Sequence, residues 1–262
     1  MKRILLPLVF ILLAAVAQAS ISTGGIAIVG FQDNGAPDSF SIVSLENFAV
    51  GEVIYFTDNG WTGSAFRSPS GTDGDGNETL TKFTAVNPIA AGAIISSTGT
   101  GPDFTWTISG LVPGAATGSF NSLSLGATGE QIYAFQAPVN LPLQNPTSHL
   151  YLLDTTGAFE PATDSATGDI APGLSTAAFT AVTGFTPGGI RGLNPADPDV
   201  FNLQVNGGTP AQWLSVIGDP ANWTTGGQPT GFINIITAPE PSCAALLLGG
   251  GAAGLLRRRR AR

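Results

Sequence analysis

The sequence has one cysteine and one histidine, and both scarcities restrict the chemistry it can perform. Cys243 stands near the C-terminal end inside an apolar run, where we interpret it as a small helix residue rather than an acylation site. No disulfide can therefore stabilise the chain, and its 262 residues have to rely on a hydrophobic core. His149 alone cannot build a zinc site, and no Gly-x-Ser-x-Gly motif accompanies it to supply a nucleophile.

Basic residues are scarce outside the two ends of the chain. Between Ser20 and Thr237, only Arg67, Lys82 and Arg191 oppose seventeen Asp and Glu residues, which leaves a net charge near −14. Such a surface repels phosphate backbones and anionic lipids, so we expect no nucleic-acid binding. Divalent cations and basic partners are the counter-charges that fit, and the acids also keep an exported protein soluble.

Helical periodicity is nearly absent from the central part of the chain. Short apolar, β-branched segments recur there instead, separated by loops rich in Gly, Pro, Asn and Asp. The predicted strands are Gly25–Phe31, Ser39–Leu45, Glu52–Thr57, Thr79–Ala85, Ala93–Ser97, Phe104–Ile108, Phe120–Leu125, Gln131–Gln136, His149–Leu153 and Val200–Val205. One short helix is predicted at Pro210–Ile217, with Thr209 as its N-cap. The pattern predicts an all-β fold of the β-sandwich type.

The N-terminal residues have the pattern of a secretory signal peptide. Two bases precede the apolar stretch Ile4–Val16, and Ala17 and Ala19 occupy the small-residue positions that signal peptidase reads. An uncleaved membrane helix is the alternative, but the apolar stretch is short and ends in a cleavage-like site. We therefore expect residues 1–19 to be removed and the mature, exported chain to begin at Ser20.

The last residues, 238–262, combine three features. Two prolines keep Pro239-Glu240-Pro241 extended, the run Ser242–Leu256 is uncharged, and the basic cluster is Arg257, Arg258, Arg259 and Arg260. As a helix, the apolar run would measure about 22 Å, which is short of the ~30 Å hydrocarbon core of a bilayer. The arginines can snorkel to the headgroups and favour the cytoplasmic side.

This tripartite tail resembles the PEP-CTERM sorting signal of exported bacterial proteins. The resemblance covers only residues 238–262. It implies a transient helix in the inner membrane, cleavage near Pro239-Glu240-Pro241 by an exosortase-type membrane peptidase, and delivery to the cell surface or the extracellular space. A permanent C-terminal anchor that is never cut is the alternative.

A second resemblance concerns the strands that open the mature chain. The residues that carry it are Gly25–Phe31, Phe40–Leu45, Val53–Trp61, Phe66, Arg67 and Glu130–Phe135. Over about residues 24–137 they resemble the lamin-tail-like domains of bacterial secreted proteins. The resemblance implies an immunoglobulin-like sandwich that binds or scaffolds rather than catalyses. It also implies structural roles for Phe56 and Trp61, as expected of aromatic residues in and beside a strand.

No linker or charge run divides the mature chain, so we expect one domain over residues 20–223. An independent second half, beginning near Pro138, is the alternative. Residues 224–237 are then expected to link this domain to the sorting tail.

One loop has the composition of a calcium site. In Asp73-Gly74-Asp75-Gly76-Asn77-Glu78, the oxygen-bearing side chains of Asp73, Asp75 and Asn77 alternate with glycines, as in the first half of an EF-hand loop. Glu78 and Thr84 stand where that motif has Gly and Glu. An ordinary polar hairpin loop without a metal is the alternative.

These observations predict an exported structural or adhesive protein that is not an enzyme and has no cofactor beyond a possible calcium ion. Exopolysaccharide or other surface proteins are the partners that such a module would meet, in addition to the two peptidases. The alternative from another class is a secreted polysaccharide hydrolase that uses paired carboxylates.

Overall fold

The computed structural model describes residues 20–33, 38–67, 80–98, 105–108, 116–117, 123, 125–138, 142–155, 159, 168–174, 183–185, 189–227, 229 and 233–236. The described strands, in chain order, are β1 (Ile26–Gln32), β2 (Ser39–Ser44), β3 (Val53–Thr57), β4 (Leu80–Ala85), β5 (Ile94–Thr98), β6 (Thr105–Ile108), β7 (Ala116–Thr117), β8 (Gln131–Gln136), β9 (Ser148–Asp154), β10 (Ile190–Leu193) and β11 (Trp223–Thr225). The described helices are α1 (Pro198–Asn206) and α2 (Pro210–Ile217), with short 3-10 turns at Pro142–Gln144 and Pro220–Asn222.

The strands form two antiparallel sheets, as the predicted β-sandwich requires. One sheet has the order β11-β10-β1-β2-β5-β6, and the other has the order β7-β4-β3-β8-β9. Aromatic rings join the two sheets. Phe40 of β2 lies 5.0 Å from Phe56 of β3, and Trp106 of β6 lies 5.6 Å from each of them, measured between ring centroids. Such pairs contribute about 0.5–1.5 kcal/mol each beyond the burial of their area.

Most of the predicted strands are confirmed. β1 to β6, β8 and β9 agree with the predicted segments to within one or two residues. The predicted strand Phe120–Leu125 lies mostly outside the described residues, and its two described members, Leu123 and Leu125, are buried but belong to no strand. The sequence did not predict β10 and β11, which extend the six-stranded sheet beyond β1 through the pairs Gly30–Gly192 and Leu193–Trp223.

The prediction of a strand at Val200–Val205 is wrong, because α1 covers these residues. Asp197 caps the helix by accepting a hydrogen bond from the backbone N–H of Asp199 (2.9 Å), and a proline occupies the first helical turn. These start signals outweigh the β-branched composition. Val200 and Leu203 pack inward at a helical spacing, whereas Phe201 and Val205 are each 59% exposed.

The predicted helix Pro210–Ile217 is confirmed together with its cap. The hydroxyl of Thr209 accepts from the backbone N–H of Gln212, and the Gln212 side chain accepts from the N–H of Thr209, which completes a capping box. Trp213 and Ile217 form its buried face.

Residues 233–236, which we name the strap, run back along the folded part of the chain. Ile233 N–H donates to Gly92 O (2.9 Å), Gly208 N–H donates to Asn234 O (2.9 Å), and Ile236 N–H donates to Gly208 O (2.8 Å). The indole N–H of Trp213 also donates to Asn234 O (2.9 Å). Of the expected linker 224–237, the strap and the two last residues of β11 therefore belong to the folded part.

The buried apolar side chains of the described core all lie between Ile21 and Ile233. Residues 20–237 therefore include the whole described core. We call the described residues within this range the body. No helix in the described part of the chain is both long and apolar enough to span a bilayer. The expected signal peptide and the run Ser242–Leu256 lie outside the described residues.

Candidate functional site

The site residues that the sequence predicted lie outside the described residues. They are Asp73, Asp75 and Asn77 of the possible calcium loop, Ala17 and Ala19 of the cleavage site, and Pro239, Glu240, Pro241 and Arg257–Arg260 of the tail. Within the described ranges, no group of three or more His, Cys, Asp and Glu side chains is placed to hold a metal ion.

His149 of β9 is buried among aromatic rings. Its ring centroid lies 4.7 Å from that of Trp61, 5.9 Å from that of Phe66 and 6.4 Å from that of Phe135. Burial lowers the pKa of His149 to about 4, so the imidazole is neutral near pH 7. Its Nδ1 has no hydrogen-bond partner within the described part of the chain. The ring therefore packs as an uncharged group within this aromatic cluster.

A loop after β3 covers this aromatic cluster. Trp61 and Phe66 pair across the loop, and the backbone N–H of Asp169 donates to Trp61 O (2.8 Å). The hydroxyl of Tyr133 donates to Asp169 O (2.8 Å), and burial raises the pKa of Tyr133 far above its usual range. Trp61 is 4% exposed and Phe56 is fully buried, so both side chains have the structural role that the sequence predicted.

Several carboxylates hold loops in place. Asp33 accepts from the backbone N–H of Gly189 (2.6 Å), and Asp38 accepts from that of Leu125 (2.9 Å). Partial burial and, to a smaller extent, the negative charge of Asp33 raise the pKa of Asp38, against the effect of the Leu125 hydrogen bond. Both carboxylates therefore hold a neighbouring segment beside an end of the six-stranded sheet.

The described residues line a cavity of about 460 Å³. Its deep part consists of buried aliphatic side chains from four strands or helices and the strap, namely Val29, Ile94, Leu193, Val200 and Ile233. Its exposed rim consists of Pro195, Gln204, Thr224, Thr225, Gly226 and Gly227, with the half-buried Pro229 beside them. No charged side chain and no aromatic ring occurs among these described lining residues.

The lining of the cavity crosses the six-stranded sheet from β5 to β10 and includes residues of α1 and the strap. Ile42 and Phe40 share one face of β2, and Phe40 contacts Phe56 of the other sheet. Val43 and its partner Ile94 therefore point to the opposite face, away from the other sheet. Helix α1 contributes Val200 to the deep part and Gln204 to the rim.

Sequence reasoning missed this cavity, because its lining comes from segments far apart in the chain. Leu193 belongs to an unpredicted strand, and Val200 belongs to a helix that was predicted as a strand. The Asp197-Pro198 pair, an N-cap followed by a helix-starting proline, was the signal that could have revealed α1.

Comparisons with models of protein families, with curated proteins and with solved structures find no match to this chain. Its function therefore has to be inferred from its own residues and their arrangement.

Proposed function

We propose that this chain is an exported β-sandwich protein of the bacterial surface or extracellular matrix, with a structural or adhesive role, sorted through residues 238–262. One observation carries the proposal. The body fits between the two expected processing sites, because Ile21 is buried two residues after Ala19 and the strap ends three residues before Pro239. Both cuts would remove segments outside the described core, as the maturation of a folded exported domain requires.

Sorting follows from the chemistry of the tail. Five residues lie between Ile236 and Ser242, so the six residue steps from one to the other span at most about 20 Å in extended form. The body would thus stay close to the inner membrane while Ser242–Leu256 is inserted. Each arginine of the basic cluster costs about 2.5–3.5 kcal/mol at mid-bilayer on insertion scales, so four of them stop transfer. An exosortase-type peptidase then cuts near Glu240 and frees the body.

The body itself belongs, in this proposal, to the immunoglobulin-like sandwiches of the lamin-tail-like type. Two antiparallel sheets joined by Phe40, Phe56 and Trp106 support this assignment. The residues that carry the resemblance, such as Trp61 and Phe66, cover one outer face of the sandwich and pack against each other (5.1 Å between centroids). These side chains stabilise the fold, so a surface that binds a partner would lie elsewhere on the body.

A structural or adhesive role agrees with how the described chemical groups are used. His149 is neutral and packed among aromatic rings, and Asp33 and Asp38 accept hydrogen bonds from the backbone. The competing function is a polysaccharide hydrolase, for which Asp38, whose pKa is raised, and Asp33 would be the first acid pair to test.

Residues 20–237, incubated with exopolysaccharide of the producing cells, separate the two functions. We expect retention of the protein on the polysaccharide without release of reducing sugar. The variant Asp38→Asn and its control Asp199→Asn, an exposed acid of α1, should behave alike. Release of sugar that Asp38→Asn abolishes and Asp199→Asn preserves would establish the hydrolase instead.

A further inference from the structure

We propose that the cavity beneath α1 binds the aliphatic chain of an uncharged amphipathic molecule, such as a fatty alcohol or a monoacylglycerol. The structural or adhesive role does not require such a ligand. Its binding can be tested on residues 20–237 whether or not the tail is processed, because the lining belongs to the body.

The deep part of the cavity selects hydrocarbon. All five of its side chains are aliphatic, and none is more than 7% exposed: Val29, Ile94, Leu193, Val200 and Ile233. Water in such a recess finds few polar partners, so a hydrocarbon chain that displaces it gains the full hydrophobic transfer term. That term corresponds to about fourfold in affinity for each buried methylene group.

The rim selects an uncharged polar head. Thr224 and Thr225 of β11 are exposed and border the opening of the cavity, and because side chains alternate along a strand, one of the two hydroxyl groups can face it. Hydroxyl, ester and amide groups can exchange hydrogen bonds with a threonine hydroxyl. A carboxylate or phosphate head would find no cation in the described lining, and it would meet a mature chain with seventeen acids against three bases.

The size and lining argue against other ligand classes. A cavity of ~150 Å³ holds one benzene molecule, and this cavity is about three times as large, at about 460 Å³. It therefore has room for a chain of roughly eight to twelve carbons. Nucleobases bind largely by stacking on aromatic rings, and the described lining offers none.

The test is a titration of residues 20–237 with 1-hexanol, 1-octanol and 1-decanol below their solubility limits, followed by calorimetry. We expect saturable one-to-one binding, with the affinity rising about 16-fold for every two added methylene groups. Decanoate, which has the same number of carbons but a charged head, should bind at least tenfold more weakly than 1-decanol. Absence of saturable binding for all three alcohols, or equal affinity for decanoate, would overturn the proposal.

Matched variants locate the site. Val200→Phe fills the deep part and should weaken 1-decanol binding at least tenfold. Val205→Phe makes the same change on the exposed side of α1 and should leave binding unchanged. Thr225→Trp blocks the rim from an exposed position and should also weaken binding, which covers the case that Val200→Phe does not fold. Equal affinity in Thr225→Trp and the parent, or equal losses in the two valine variants, would place the bound alcohol elsewhere and refute the assignment.

Discussion

The imidazole of His149 lies edge to face against the indole of Trp61, with their ring centroids 4.7 Å apart and their planes at 73°. His149 belongs to β9 and Trp61 to the loop after β3, so this contact fastens the loop to the outer face of the five-stranded sheet. Both side chains are buried, at 6% and 4% exposure. A proton on the imidazole would place a positive charge in this apolar cluster.

The stability of the body should therefore depend on the protonation of His149. Its pKa is about 4 in the folded chain and about 6.5 when unfolded, so the unfolded chain binds the proton more readily between these values. Stability is fully present above pH 6.5 and falls as the pH drops from 6.5 towards 4, by about 3 kcal/mol from this group. Urea unfolding of residues 20–237 at pH 7.5, 5.5 and 4.5 measures the loss.

The variant His149→Phe isolates this contribution. It keeps an aromatic ring beside Trp61 and cannot be protonated, whereas the carboxylates titrate in both proteins. We expect the free energies of unfolding of the parent and the variant to diverge as the pH falls, in favour of the variant. Parallel pH profiles would show that His149 is not buried in its neutral form.

A pair of turn glycines tests how closely the strap packs. Gly92 and Gly51 both have a positive φ, 93° and 86°, so alanine at either position costs about 1–2 kcal/mol of backbone strain. A Cβ at Gly92 would also collide with Ile233 O of the strap, whereas a Cβ at Gly51 meets nothing within 4 Å. Gly92→Ala should thus destabilise the body by about 1–3 kcal/mol more than Gly51→Ala. Equal losses in chemical unfolding would mean that the strap does not contact Gly92 in solution.

The sequence predicted those parts of the fold that are specified locally. Runs of β-branched and aromatic residues marked β3 and β8, and the N-cap residue Thr209 marked the start of α2. The strand β10 escaped prediction because Ile190–Leu193 is short and acquires its strand conformation by pairing with β1. In α1, the residue types favoured a strand, and only the cap and the burial of Val200 and Leu203 show the helix.

The candidate site could not be predicted in the same way. Its lining meets only after β1, β5, β10, α1 and the strap have assembled, and no local pattern encodes that encounter. The loop with Asp73, Asp75 and Asn77 shows the converse case, since its composition indicates a function but lies outside the described residues.

That loop can be tested by thermal unfolding in calcium. The departures at Glu78 and Thr84 remove two features of a calcium loop, so we expect the melting temperature of residues 20–237 to be unchanged by millimolar calcium. Asp75→Ala should then melt alike with and without calcium. A rise in the parent that Asp75→Ala abolishes would instead establish a calcium site.

The arginine cluster should determine where an uncut chain stops. Four serines in place of Arg257–Arg260 remove the charges that resist transfer, and the remaining apolar run is short and rich in glycine and alanine. We expect this variant to appear in the periplasm as uncut protein, whereas four lysines should retain membrane insertion. Membrane association of the serine variant equal to that of the parent would show that the arginines are not the stop signal.

Mass spectrometry of the intact mature protein from its producing cell tests the central claim most directly. If the chain is an exported protein sorted through its tail, its N-terminus should be Ser20 and its C-terminus should lie at or near Glu240, outside the strap. A mature protein that still ends at Arg262 would contradict processing and would leave the tail as a permanent anchor.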